Sequence, residues 1–332
     1  MSMLLSIVIP IYNEVEAFPD LLPTLWPGLE GIGAEVEVVL VDDGSRDGTA
    51  TLLAEAAAAD PRVVVLSFTR NFGHQAAITA GIDHARGDAV VVMDADLQDP
   101  PEILPEMVAL YRRGYDVVSA RRVGRDGESP FKRATAAAFY WVMQRAVDPR
   151  LVPQVGDFRL FSRGAVEAIR GFREEHRFMR GLVAWLGLRE VILPFHRRAR
   201  VAGSTKYPLH KMVRFAWTAI SSFSALPLKL CTGLGLTVTA GGLLYAMYVV
   251  YEALVLRTTV RGWSSLVCFQ AVFSGTTLVA IGLVGDYVAR IYEECKGRPL
   301  YVVGETRNLA AMPVPPRSVS LAPRADQPAT IR

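Results

Sequence analysis

Short apolar runs alternate with helix-like segments over the first two-thirds of the chain. Segments such as Thr49–Ala59 and Gln75–Ala85 suit helices. Alternating strands and helices predict an α/β domain whose mostly parallel sheet is covered on both faces. Five runs are predicted to be buried strands, because they are unbroken, valine-rich and too short for helices: Leu4–Pro10, Val36–Val41, Val63–Ser67, Ala89–Met93 and Asp116–Ala120.

Two longer apolar runs follow this domain. Leu230–Val250 and Leu266–Gly285 contain no charged residue, and about 20 such residues are enough to cross a hydrocarbon core of about 30 Å. The short connector Leu256–Ser265 predicts a helical hairpin with both ends on one side of a membrane. Basic residues are denser on the outer flanks than in the connector, which places the main domain in the cytoplasm. The alternative is a pair of buried helices in a large soluble core.

Composition narrows the function classes. The hydrophobic fraction of 51% is above the usual range, and the two long runs account for the excess. A net charge of +3 is not by itself typical of a nucleic-acid-binding protein, and no nucleic-acid partner is expected. The three cysteines are too widely spaced for a disulfide framework or a metal pair. The N-terminal apolar run stops at Pro10 and has no charged leading region, so no signal peptide is predicted.

Polar clusters follow four of the predicted strands. They are Tyr12–Glu14, Asp42–Ser45, Arg70–Gly73 and Asp94–Asp96. The carboxyl ends of parallel strands meet at one edge of a sheet, and ligands of such sheets bind there. The sequence therefore predicts a functional site at this edge.

The acidic residues of these clusters suggest their chemistry. Asp94 and Asp96, with Gln98, offer oxygen ligands of the kind that Mg²⁺ takes together with substrate phosphates; a helix cap or turn is the alternative. Asp42 and Asp43 can accept a hydrogen bond from a base N–H or a ribose hydroxyl. In the same stretch, Asp47 or Thr49 can cap the following helix.

A lone acid and a basic run complete the candidates. Asp157 stands beside Arg159, and a surface ion pair of little energetic weight is the alternative to a functional role. The basic run His196–Lys206 suits either attraction to a membrane surface or capture of a phosphate at the bilayer. Arg121, Arg122 and Arg133 carry positive charge that can serve the same phosphate.

As an ordered set, these motifs resemble a known family. From about Leu5 to Val303 the chain is similar to the polyprenyl-phosphate glycosyltransferases of glycosyltransferase family two, foremost the bactoprenol glucosyltransferase type and to a lesser degree the dolichol-phosphate mannose synthases. The resemblance is carried by IVIPIYNE, VDDGSRDGT, RNFGHQAAITAG, MDADLQDPPE, GDFRLFSR, AGSTKY and the hairpin with DYVARIYEECKGRPLY.

The resemblance implies a GT-A, Rossmann-like catalytic domain and a two-helix transmembrane hairpin. It implies inverting transfer of a single sugar from a nucleotide-sugar, UDP-glucose first, to a polyprenyl (undecaprenyl) phosphate. Alternatives are UDP-GlcNAc, UDP-galactose, a UDP-arabinose derivative or GDP-mannose as donor, or a different lipid acceptor. A homo-oligomer is also expected from the family.

Site residues carry over motif by motif. Asp157 matches the position usually proposed as catalytic base. Thr205 departs from the family, whose members often have serine there, but a hydroxyl is kept. The remaining expectations are a nucleotide pocket from Pro10, Tyr12, Glu14, Asp42, Asp43 and Asp94; Mg²⁺ or Mn²⁺ on Asp94, Asp96 and Gln98; and an acceptor phosphate on Arg121, Arg133, Arg200 and Lys206.

The acceptor's own chemistry limits what Asp157 has to do. The second pKa of a phosphate monoester is about 6, so it is largely dianionic at neutral pH and needs no strong base. Asp157 can instead orient an arginine or support positive charge on the sugar ring. A processive polysaccharide synthase is disfavoured because the chain lacks a QxxRW motif. A transferase for a glycolipid or protein acceptor, and a non-catalytic membrane scaffold, stay open.

The expected organisation is a multi-pass protein of the cell (inner) membrane with its catalytic domain and both termini in the cytoplasm. The predicted divisions are a catalytic domain at 1–206, an interfacial amphipathic helix at 207–226, two transmembrane helices within 227–292 (about 230–255 and 265–287), a cytoplasmic return segment at 293–308 and a disordered proline-rich tail at 309–332.

Overall fold

The chain divides into two units. The computed structural model describes residues 3–123, 155–175, 177, 179–196, 226–251, 255, 262–309 and 319–320. One unit comprises Met1–Leu209 and Gly297–Arg332, and the other comprises His210–Lys296. The first is an α/β unit with a single large sheet, and the second contains two long helices.

The sheet of the first unit is mostly parallel, as predicted. Its described strands run in the order β7-β5-β6-β4-β1-β2-β3-β8-β9. Only β4–β6, β5–β6 and β3–β8 are antiparallel pairs. The strands are β1 Leu4–Ile11, β2 Glu35–Asp42, β3 Val63–Phe68, β4 Ala89–Val92, β5 Val117–Arg122, β6 Val155–Ser162, β7 Glu190–Phe195, β8 Val302–Arg307 and β9 Val319–Ser320.

Helices cover both faces of this sheet. The alternation of β1 sends Ile7 and Ile9 into one core layer, with α1, α2 and α4, and Val8 into the other, with α3, α5 and α6. Gly81 of α3 lies directly on Val8, where a Cβ would clash, so this helix packs close to the sheet. The helices are α1 Phe18–Leu29, α2 Thr49–Ala59, α3 His74–His84, α4 Leu104–Arg112, α5 Arg163–Gly171 and α6 Met179–Leu186, with a 3₁₀ turn at Pro101–Ile103.

The segment predicted as a return connection is part of the sheet. Residues 293–308 contain β8, which pairs antiparallel with β3. Tyr301, directly before β8, is fully buried; its ring stacks on Phe68 with centroids 5.3 Å apart, and its hydroxyl donates to Asp83 Oδ2 at 2.8 Å. The tail predicted to be disordered supplies β9, a two-residue strand beside β8.

The second unit contains α7, Leu226–Tyr251, and α8, Trp263–Cys295. They pack together where the rings of Tyr245 and Phe269 approach to 4.7 Å. A Cβ on Gly242 would lie 2.8 Å from Phe273, so glycine permits the close approach there. Among the described helices, only the stretch Val272–Cys295 has the length and mean hydropathy of a membrane span. Two long helices are therefore present, but a hairpin that crosses twice is not established.

Replacing Tyr301 with Phe is expected to lower the free energy of unfolding by about 1–3 kcal/mol, the cost of removing one partner of a buried hydrogen bond. In this variant Asp83 still accepts hydrogen bonds from Arg173, whose two terminal nitrogens each lie 2.8 Å from an oxygen of the Asp83 carboxylate. The measurement is the thermal unfolding midpoint of the purified protein. Tyr115→Phe is the matched control, since no hydrogen bond of the Tyr115 hydroxyl is found within the described residues; an equal shift in both variants would contradict the assignment.

Candidate functional site

The predicted polar clusters meet at the carboxyl edge of the parallel strands. Tyr12 follows β1, Asp42 ends β2, Arg70 follows β3 and Asp94 follows β4. Because β6 runs antiparallel to β4, with Val92 opposite Arg159, the start of β6 brings Asp157 to the same edge. The sheet topology therefore gathers these side chains into one site.

Hydrogen bonds join the loops after β1 and β2. Asn13 adopts a left-handed conformation with φ of 54°, its backbone N–H donates to Ser45 Oγ at 2.9 Å, and its Oδ1 accepts from the Arg46 backbone at 2.8 Å. Asp42 is buried and accepts from the Ser45 backbone at 2.9 Å. Tyr12, at 44% exposure, is open to a ligand in this position. These contacts hold the two loops together at the edge of the sheet where the nucleotide pocket is predicted.

Asp43 organises the loop after β3. Its carboxylate accepts from the backbone N–H groups of Phe72 and Gly73 at 2.6 and 2.9 Å and from Asn71 Nδ2 at 2.9 Å. Burial nevertheless leaves the pKa of Asp43 above its ordinary value, with the loop hydrogen bonds opposing it. Gly44, with φ of 70°, lies where a Cβ would come within 2.5 Å of the Arg70 backbone. These contacts give Asp43 a supporting role, and its place in a nucleotide pocket stays a prediction.

The segment after β4 is a tight acidic turn. Leu97 has φ of 57°, a conformation that costs a non-glycine residue of this kind about 1–3 kcal/mol and that concentrates at functional sites. Asp96 Oδ1 accepts from the Gln98 backbone at 3.2 Å, and Asp99 Oδ2 accepts from the Asp94 backbone at 3.3 Å. The bend keeps the Asp94 and Asp96 side chains partly exposed while Asp99 is buried beneath them.

This turn fits a divalent cation. Burial, and then the charge of Asp94, raises the pKa of Asp99 to about 7. Burial also raises the pKa of Asp94, with Asp157 and Asp96 adding to it. A cation would relieve this crowding of carboxylates. Within the described residues no group of three or more His, Cys, Asp or Glu that could hold a metal ion is found. Mg²⁺ usually takes only one or two carboxylates and fills the rest of its shell with water and substrate phosphates.

Four side chains of alternating charge continue from this turn, and we call them the charged row: Asp94, His74, Asp157 and Arg180. His74 Nε2 lies 3.7 Å from Asp94 Oδ1 and 3.5 Å from Asp157 Oδ2. Arg180 Nε lies 3.5 Å from the other Asp157 oxygen, Oδ1. His74 begins α3 and Arg180 stands in the first turn of α6, so two helix starts hold the row.

The charged row keeps Asp157 ionised. Burial alone would raise the pKa of Asp157, but the hydrogen bond to His74 and the charges of Arg180, His74 and Arg159 hold it well below its ordinary value. Burial lowers the pKa of His74, yet the hydrogen bond to Asp157 and the charges of Asp94 and Asp157 outweigh it, so the net shift is upward. A carboxylate with so low a pKa is a weak base and keeps its negative charge at neutral pH.

The structure describes only part of the predicted acceptor site, and the assignment of these residues to a phosphate stays a prediction. Arg121 is the second-last residue of β5 and pairs with Val155 of the neighbouring strand, so it lies at the same edge as Asp157. The guanidinium of Arg122 lies against Gly156, where an added Cβ would be 3.2 Å away. The other predicted phosphate ligands, Arg133, Arg200 and Lys206, lie outside the described residues.

Sequence reasoning missed several residues of this site. His74 and Gln75 stand within the motif RNFGHQAAITAG at the start of a helix, which was a usable signal. Asp99 follows the acidic turn directly and could have been included for the same reason. Arg180 lies on a separate helix after β6, and no local pattern marks it; the fold alone brings it to Asp157.

Comparison with known proteins shows which class of enzyme has this fold and site. Residues 6–170 match the family model "Glycosyl transferase family 2". The chain is 43% identical over 298 residues to the uncharacterized glycosyltransferase YkcC of Bacillus subtilis, covering 90% of this chain and 92% of that one. The chain therefore belongs to glycosyltransferase family two.

Other relatives carry more specific names. The chain is 39% identical to the prophage bactoprenol glucosyl transferase homolog of Escherichia coli, covering 91% of this chain and 98% of that one. It is 40% identical to the SfII prophage-derived bactoprenol glucosyl transferase of Shigella flexneri, covering 91% and 97%. The similarity thus extends well beyond the family-two domain and into the two long helices.

Proposed function

We propose that this glycosyltransferase moves one sugar from a nucleoside diphosphate to a polyprenyl phosphate at the membrane surface, with inversion at the anomeric carbon. The observation that supports the proposal most strongly is the charged row, which begins at Asp94, a predicted metal ligand, and ends at Arg180. The names of the relatives at about 40% identity support the lipid acceptor and favour glucose as the sugar.

The donor diphosphate is proposed to bind at the acidic turn. Asp94, Asp96 and Gln98 would hold Mg²⁺ or Mn²⁺ there, which would neutralise charge on the leaving diphosphate. The loops after β1 and β2, with Tyr12 and Asp42, would hold the nucleoside. This arrangement leaves the far end of the charged row for the second substrate.

The chemical step is a displacement at the anomeric carbon. An acceptor phosphate oxygen forms a new bond to the anomeric carbon. At the same time the bond between the anomeric carbon and the donor's β-phosphate oxygen breaks, and its electron pair leaves with the nucleoside diphosphate. The acceptor is already largely dianionic near neutral pH, since its second pKa is about 6. Asp157 therefore need not take a proton. Its fixed charge supports the positive character that develops on the sugar ring and holds the adjacent cations in place.

Membrane attachment is proposed to follow from the second unit. Leu230, Leu234, Leu236 and Leu244 of α7 are 54–68% exposed, and Leu278, Val279 and Ile281 of α8 are 61–69% exposed. Apolar side chains in such numbers favour a lipid environment. Both helices are proposed to cross the inner membrane, with the catalytic unit and both termini in the cytoplasm.

A donor screen tests the function. Purified protein in detergent, with Mn²⁺ or Mg²⁺ and undecaprenyl phosphate, is incubated with each radiolabelled nucleotide-sugar, and the lipid phase is extracted and counted. Label from UDP-glucose is the expected result. Label from another donor would change the proposed sugar but would leave the proposed reaction class unchanged. Absence of label with every donor, from protein that still binds nucleotide, would overturn the lipid acceptor.

A further inference from the structure

Arg180 differs from the neighbouring structural arginine. Arg173 is 10% exposed, and both of its terminal nitrogens donate hydrogen bonds to the buried Asp83 carboxylate. Arg180 is 31% exposed and meets Asp157 through Nε at 3.5 Å. In the part of the chain that the structure describes, no hydrogen bond from its two terminal nitrogens is found. Arg180 is therefore oriented by a carboxylate while its remaining donors stay available to a ligand.

Charge balance shows which ligand suits Arg180. Asp157 carries a negative charge, and a phosphate dianion that approaches it would be repelled. His74 separates Asp157 from Asp94, and Arg180 stands on the opposite side of Asp157. A guanidinium placed there matches the geometry of phosphate oxygens and offsets the repulsion.

We propose that Arg180 binds a phosphate oxygen of the acceptor and that Asp157 orients the Arg180 guanidinium for this contact. The inference rests on the proposed function and adds a binding residue that the sequence motifs did not mark. Asp157 then acts on both substrates, through its charge on the sugar and through Arg180 on the phosphate.

Gln75 is the positioning residue of this arrangement. Its Oε1 accepts from the Met179 backbone at 3.3 Å, directly before Arg180, and its Nε2 donates to Asp157 Oδ2 at 3.4 Å. Only one orientation of the amide satisfies a donor on one side and a carboxylate on the other. The Gln75 side chain therefore connects the start of α6 to Asp157 and fixes the position of the Arg180 backbone.

The test separates acceptor binding from donor binding. Arg180→Gln should raise the acceptor KM by about 10- to 100-fold, as expected for the loss of one charge-assisted hydrogen-bonding contact. The donor KM and nucleotide affinity should stay within about twofold, which also shows that the variant is folded. Arg180→Lys should fall between, because lysine keeps the charge but not the planar fork. Arg189→Gln, which removes an exposed arginine that lies over Tyr115 outside the site, is the charge-matched control.

A double variant tests the link to Asp157. If Asp157 acts partly through Arg180, then Asp157→Asn and Arg180→Gln combined should raise the acceptor KM by less than the product of their separate effects. Multiplicative effects would refute the orienting role.

The outcomes distinguish this inference from the proposed function. Suppose that the wild type transfers sugar to the lipid. If Arg180→Gln then has an unchanged acceptor KM, or a raised donor KM instead of a raised acceptor KM, the inference is overturned and the proposed function is not. A wild type that binds nucleotide but labels no lipid overturns the proposed function, and the inference falls with it.

Discussion

Replacing Asp96 with Asn is expected to lower kcat for sugar transfer by about 1,000-fold or more. Asp96 stands in the tight turn after β4 with one oxygen fixed by the Gln98 backbone. Losing its negative charge would remove a proposed ligand of the divalent cation, and charge stabilisation of this kind contributes several kcal/mol at the leaving group. The measurement is kcat at saturating donor and acceptor over a range of Mn²⁺ concentrations.

The Asp96 variant needs a control for general loss of charge. Asp20→Asn, at an exposed position in the first turn of α1, should keep wild-type kcat. Asp96→Asn should also require more Mn²⁺ for half-maximal nucleotide binding. Normal turnover with an unchanged Mn²⁺ requirement in Asp96→Asn would refute the assignment of this turn to a metal.

The second large effect is expected at Asp157. Asp157→Asn should lower kcat by about 100- to 1,000-fold, the range seen when one preorganised electrostatic group is removed from an active site. Nucleotide affinity should change little, because no hydrogen bond or ion pair among the described residues joins Asp157 to the loops after β1 and β2. Single-turnover rates at saturating nucleotide-sugar measure this effect without interference from product release.

The pH dependence separates charge control from base catalysis. Since the pKa of Asp157 is held well below its ordinary value, this group is ionised near neutral pH and is a weak base there. The acid limb of kcat/KM should instead report the acceptor phosphate, whose second pKa is about 6. That limb should therefore persist in Asp157→Asn. Its disappearance in the variant would show that Asp157 is the titrating base.

The sheet was predictable where its strands are buried on both faces. The bounds of β1 to β4 lie within one residue of the predicted runs, and β5 extends two residues beyond its run. β6 was not predicted, because Gly156, Asp157 and Arg159 resemble a functional loop rather than a strand. β8 was missed because Gly304, Glu305 and Arg307 make it polar, and only its pairing with β3 and the burial of Tyr301 identify it.

The candidate site was predictable as far as short motifs reach. Asp42, Asp94 and Asp96 directly follow strands, so the edge rule for parallel sheets brings them together. Arg180 and the burial of Asp99 depend on packing between elements distant in the chain, which no local pattern encodes. The same limit applies to Asp43, whose contacts with Phe72 and Gly73 exist only once β2 and β3 are paired.

The most direct test of the central claim is the stoichiometry of the products. Wild-type protein is supplied with UDP-glucose, Mn²⁺ and undecaprenyl phosphate, and the released nucleotide and the extracted lipid are analysed by mass spectrometry. Transfer of the sugar alone predicts one UDP released for each lipid formed, and a lipid with a single hexose on a single phosphate. Release of UMP with a lipid diphosphate, or a sugar recovered only in water-soluble products, would contradict the account.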